Sequence, residues 1–153
     1  MKKIFVFGVI ILALAACNKD KVESKPGLKF KSFSSNVIPI GSDVLITLNF
    51  TDQEGDLDSV YVIRQRVNKR SFPNSQLIDL GIPKFGGQNS GELQVGLDYG
   101  TQLTFNLSAL RIPGSSPSVY EPDTLNLRFY VKDKAGNTSD TIGPERLIVM
   151  RQQ

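Results

Sequence analysis

The stretch Val44-Leu45-Ile46-Thr47-Leu48-Asn49-Phe50-Thr51 sets Val44, Ile46, Leu48 and Phe50 against Leu45, Thr47, Asn49 and Thr51. Successive side chains leave a strand on opposite sides, so a period of two marks a strand with one buried face. The pattern returns at Leu125, Leu127, Phe129 and Val131 against Asn126, Arg128, Tyr130 and Lys132. Further strand-like stretches are 28–33, 60–67, 76–82, 92–97, 103–107 and 146–150. Turn signals part them: Pro39-Ile40-Gly41-Ser42, Glu54-Gly55-Asp56, Gly86-Gly87, Tyr99-Gly100, Pro113-Gly114 and Ala135-Gly136-Asn137. No stretch past residue 27 sustains a 3.6-residue period. About seven to nine short strands with such punctuation predict an all-β fold, a two-sheet antiparallel sandwich.

The segment Phe129-Tyr130-Val131-Lys132-Asp133-Lys134-Ala135-Gly136-Asn137-Thr138-Ser139-Asp140 carries an aromatic-alternating strand into an Asp-x-Ala-Gly-Asn turn. It resembles the final hairpin of bacterial immunoglobulin-like and fibronectin type III-like domains, and the resemblance implies an immunoglobulin-like sandwich over 28–153. With no Cys pair and no Trp, the kinship implied is with the disulfide-free extracellular versions.

The chain opens with Met1-Lys2-Lys3, an uncharged apolar run from Ile4 to Ala16, then Cys17. A positive start followed by a short apolar segment reads as a secretory signal, and the run is well below the roughly 20 residues a spanning helix needs. Leu14-Ala15-Ala16-Cys17 resembles the lipobox of bacterial lipoproteins, with the only Cys in the chain at the position the motif requires. That resemblance implies a signal peptide over 1–16, cleavage before Cys17, and diacylglyceryl and palmitate-type acyl chains on Cys17 that anchor the protein in a membrane. Several acyl chains on one residue hold stably where one holds reversibly. Asn18 stands where an Asp commonly marks inner-membrane retention, so the resemblance implies the outer membrane. Residues 17–27 then read as the lipidated Cys and a polar tether closed by Pro26-Gly27.

The 153 residues are 40% hydrophobic and 22% charged, enough for one core, and include no His. Without His, and with Cys17 consumed by lipid, the usual general base, Ser/His or Cys/His pairs and His or thiolate metal sites are missing. A non-enzyme is expected. Cleavage removes Lys2 and Lys3, so most of the formal net charge of +3 belongs to targeting.

The densest acidic cluster is Asp52-Gln53-Glu54-Gly55-Asp56-Leu57-Asp58. If it joins the strands at 44–51 and 60–67, it lies at the same end of a sandwich as the last hairpin turn, which brings Asp133 and Asn137 near it. Two readings fit. One is a solvated turn in which Asp52 caps its own backbone. The other is a structural calcium, a cation that takes 6 to 8 oxygen ligands, with Asp52, Glu54, Asp56, Asp58 and Asp133 as candidates. No other cofactor is expected. A carboxylate-based hydrolase is the enzyme class left to test, through Asp56 and Asp58.

Arg64-Gln65-Arg66-Val67-Asn68-Lys69-Arg70 reads as a solvated strand face, with Arg64 and Arg66 outward and Ile63 and Val67 inward, or as a contact for anionic lipid and polysaccharide. Nucleic acid is not an expected partner. Asp58-Ser59-Val60, Asp123-Thr124-Leu125 and Asp140-Thr141-Ile142 match an Asp-Ser/Thr-apolar glycosylation pattern, making Ser59, Thr124 and Thr141 candidates. Tyr61, Tyr99, Tyr120 and Tyr130, the last directed outward, offer either cross-strand packing or a binding platform. The expected role is a lipid-anchored outer-membrane or cell-surface module for binding, adhesion or envelope structure, with a protein or polysaccharide ligand. The alternative is a periplasm-facing accessory subunit of an envelope or nutrient-uptake complex.

Overall fold

The computed structural model describes residues 24–72, 74–82 and 87–151. The expected signal peptide, Cys17 and most of the tether lie outside them. In chain order the strands are β1 (Gly27–Phe33), β2 (Val37–Ile38), β3 (Val44–Thr51), β4 (Leu57–Arg66), β5 (Asn74–Gly81), β6 (Ser90–Leu97), β7 (Leu110–Arg111), β8 (Tyr120–Glu121), β9 (Asp123–Asp133) and β10 (Ile142–Val149). One sheet has the order β1-β3-β6, the other β2-β10-β9-β4-β5, and β7-β8 form a separate ribbon. All pairings are antiparallel except β2 with β10, which departs from the wholly antiparallel expectation.

Alternation sets the inward faces as the sequence predicts. In β3, Val44, Ile46, Leu48 and Phe50 are buried, and the first three stand opposite Leu97, Val95 and Leu93 of β6. Across the core, Leu125, Leu127, Phe129 and Val131 of β9 are buried. Phe30 of β1 reaches over to Phe129, ring centroids 6.1 Å apart, and meets Phe33 edge-on at 4.8 Å. The two sheets therefore share one hydrophobic core. Each side chain of this size contributes about 1.5–3 kcal/mol on leaving water. In β10 the register shifts between Ile142 and Glu145. There Gly143 has φ 97° and a Cβ would sit 2.7 Å from the Leu127 carbonyl oxygen, so only glycine fits this bulge.

Two expectations are corrected. Residues 103–107 are not a strand: a π-helical turn covers Tyr99–Leu103, started by Asp98, whose side chain accepts from the Thr101 amide. Nor do Arg64 and Arg66 face water. The inward face of β4 is Val60, Val62, Arg64 and Arg66, because Val60 and Val62 pair with Val131 and Phe129 and the same parity carries on to the two arginines. Arg64 is 0% exposed. Its Nη1 donates to the carbonyls of Gln102 at 2.6 Å and Leu103 at 3.0 Å, and its Nη2 to Phe105 at 2.9 Å. Arg66 donates to the Ser108 carbonyl at 2.8 Å and pairs with the fully buried Asp123, which also meets Arg151 at 3.1 Å. Arg151 bonds the Leu107 carbonyl in turn. The correction explains the missing strand: guanidinium groups take carbonyls of the 102–108 segment that a neighbouring strand would otherwise satisfy.

Candidate metal centre

The acidic loop leaves β3 at Asp52, which is only 2% exposed. Its amide donates to the Asn89 carbonyl at 2.8 Å, and its Oδ2 accepts from the Asp56 amide at 2.7 Å. That second bond is the self-capping turn anticipated for Asp52. Gly55 makes it possible. Its φ is 67°, and a Cβ would lie 2.8 Å from the Gly87 carbonyl carbon, so both conformation and space require glycine. From the other side, Lys134 N donates to Asp56 O at 3.2 Å, and Leu57 pairs with Asp133. The last hairpin turn thus lies against the acidic loop, where strand order placed it. Asn137 bonds Asp133 twice, through its amide to Oδ1 at 2.8 Å and its Nδ2 to Oδ2 at 2.9 Å.

This packing gathers Asp52, Asp56 and Asp133, each offering a carboxylate oxygen within 4.8 Å of the others. Oxygens up to about 5 Å apart can share a calcium ion, whose Ca–O distances are about 2.3–2.6 Å. Asp52 Oδ1 and Asp56 Oδ1 are buried and accept no hydrogen bond from the described residues, a costly condition for a carboxylate. Burial pushes the Asp52 carboxyl above its ordinary value of 3.8, opposed by the Asp56 amide and assisted by the charges of Asp56, Glu54 and Asp133. An all-oxygen donor set suits a hard divalent cation rather than zinc or copper. Two of the five sequence candidates do not join. Glu54 turns away to Ser24, accepting from its amide at 3.3 Å and its hydroxyl at 2.7 Å, and the hydroxyl holds the Glu54 carboxyl below its usual range. Asp58 is exposed and accepts from Ser59 Oγ at 3.0 Å.

Residues 1–18 match the model of the prokaryotic membrane lipoprotein lipid attachment site. The protein is lipid-anchored. This lipoprotein is accordingly an extracytoplasmic envelope protein held in a membrane through Cys17. No curated protein matches the chain. Among solved structures it is similar to a β-glucosidase from Listeria innocua, at 15% identity and TM-score 0.41, over 84% of this chain and 16% of that one. Spo0M, a sporulation control protein from Bacillus subtilis, is 9% identical at TM-score 0.43, over 84% of this chain and 51% of that one. A Niemann-Pick type C2 protein from the Japanese carpenter ant is 10% identical at TM-score 0.41, over 82% and 95% of the two chains. No residue role is carried over from them.

From Cys17 to Ser24 the lipoprotein has seven residues, a reach of at most about 25 Å. The Ser24–Glu54 clasp ties the end of that segment to the acidic loop. Of the glycosylation candidates, Thr141 is exposed, Thr124 is half-buried and Ser59 is buried, so Ser59 could not carry a sugar without repacking. Tyr61 and Tyr130 stack across β4 and β9, centroids 4.7 Å apart and 7° between planes, which is cross-strand packing on the outer face. Sequence reasoning missed the Arg64, Arg66, Asp123 and Arg151 network. The available signal was parity, since Arg64 and Arg66 continue the phase of Val60 and Val62.

Proposed function

We propose that this lipoprotein is a non-catalytic binding or structural module of the outer membrane, an immunoglobulin-like sandwich stabilised by calcium at Asp52, Asp56 and Asp133. The observation that carries the reading is the convergence of three carboxylates on a buried point where two oxygens accept no hydrogen bond. A divalent cation satisfies both oxygens, cancels the mutual repulsion, and ties the β3–β4 loop to the β9–β10 turn. Support for the immunoglobulin-like reading is the strand order, in which the chain crosses between the sheets from β3 to β4 and back from β5 to β6 while β4–β5 and β9–β10 pair within one sheet. Asn18 favours the outer membrane. Melting the intact lipoprotein in detergent micelles with EDTA, then with millimolar calcium or magnesium, tests the centre. Saturation at about a hundredfold over Kd stabilises by about 2.7 kcal/mol, a rise of roughly 5–10 °C for a domain of this size. A melting temperature unchanged by millimolar calcium rejects the metal.

A further inference from the structure

At the opposite end of β4 from the acidic loop lies a groove of about 350 Å³, whose walls include Arg66, Arg70, Phe72, Asn74 and Asn106. Along β4, Leu57 to Arg66 spans about 30 Å, which separates the groove from the clasped end by that length. Three features distinguish the groove from ordinary surface. Phe72 is 93% exposed, a full aromatic face in water. Arg70 is held by Glu121 at 2.7 Å and by the Arg111 carbonyl at 3.2 Å, which uses two of its five N–H donors and fixes the rest. Asn106 has φ 56°, the single non-glycine residue in the left-handed region among the described residues.

That strained backbone is over-determined. The flanking carbonyls of Phe105 and Leu107 are taken by Arg64 and Arg151, so the buried arginine network presents the Asn106 side chain to the groove. Strain held in this way is characteristic of binding sites. Among the described residues the side-chain amides of Asn74 and Asn106 have no hydrogen-bond partner, and each offers both donor and acceptor capacity, as sugar hydroxyls require. An exposed ring face suits the C–H face of a pyranose, and a fixed guanidinium fork suits a carboxylate. Lys69, Arg70 and Arg111 outnumber Glu121 at this end and give it the complementary charge.

We propose that this groove, at the far end of β4 from the acidic loop, binds a carboxylated oligosaccharide, a uronic-acid chain. The proposal does not depend on calcium. Calorimetric titration of the intact lipoprotein in detergent micelles, in EDTA and again in calcium, with oligogalacturonate tests it. The fully methyl-esterified oligomer is the uncharged control and an oligoglutamate peptide the non-sugar control. The acid oligomer is expected to bind at least tenfold more tightly than either. Phe72→Ala and Asn106→Gly should each weaken it about tenfold with no loss of melting temperature, since Phe72 is exposed and glycine accepts the Asn106 backbone. No binding at millimolar oligomer, equal binding of the ester or the peptide, or undiminished binding by both variants overturns the assignment.

Discussion

Asp52 and Asp123 are both buried carboxylates, and they meet burial in opposite ways. Asp123 has cationic partners in Arg66 and Arg151. Removing one partner of a buried pair leaves the other charge uncompensated, at about 3–5 kcal/mol. Asp123→Asn should therefore lower stability by that amount in chemical denaturation. Among the described residues the charges acting on Asp52 are those of Asp56, Glu54 and Asp133, and its carboxyl is raised by burial first. Without a cation, its contribution to stability is fully present below the ordinary value of 3.8 and is lost as pH rises through the higher folded value. The proposed calcium would bind the ionised form and reverse that slope. Asp52→Asn should then raise the melting temperature at neutral pH in EDTA and abolish the rise produced by calcium. A variant that keeps the calcium rise would remove Asp52 from the site.

Among elements, the strands with the cleanest alternation formed where the sequence places them, because β3 has one wholly apolar face, β9 has an unbroken apolar parity from Leu125 to Val131, and each has a partner on both sides. Where polar residues share the inward parity, the reading inverted. In β4 two arginines occupy positions that hydrophobicity assigns to water, and the expected strand at 103–107 is absent, with Arg64 taking the carbonyls of Gln102, Leu103 and Phe105. On the outer face of β4 and β9, the Tyr61–Tyr130 stack belongs to strand pairing. A double-mutant cycle on Tyr61→Ala and Tyr130→Ala should give a coupling of about 0.5–1.5 kcal/mol in unfolding free energy. Zero coupling would mean the rings pack independently.

For the whole molecule, the Ser24–Glu54 clasp and the short segment back to Cys17 are expected to hold the acidic end nearer the membrane. Because Cys17 is acylated, a cysteine introduced at Asp58 or Phe72 is the sole free thiol and can carry a donor dye. On liposomes containing acceptor lipid, energy transfer should be clearly greater from position 58 than from 72, and equal transfer would contradict the orientation. The sequence by itself determined the address, the all-β class, the inward faces of β3 and β9, and the acidic loop with Asp133 as its neighbour. These are local properties: a motif, a period of two, a glycine in a tight turn. Only the tertiary structure decided that Asp52, Asp56 and Asp133 converge while Glu54 and Asp58 turn away, that Arg64 and Arg66 point into the core, and that Asn106 is held against a groove. Those outcomes depend on which backbone carbonyls and charges come within reach after the sheets close, and alternation along one strand carries no record of that.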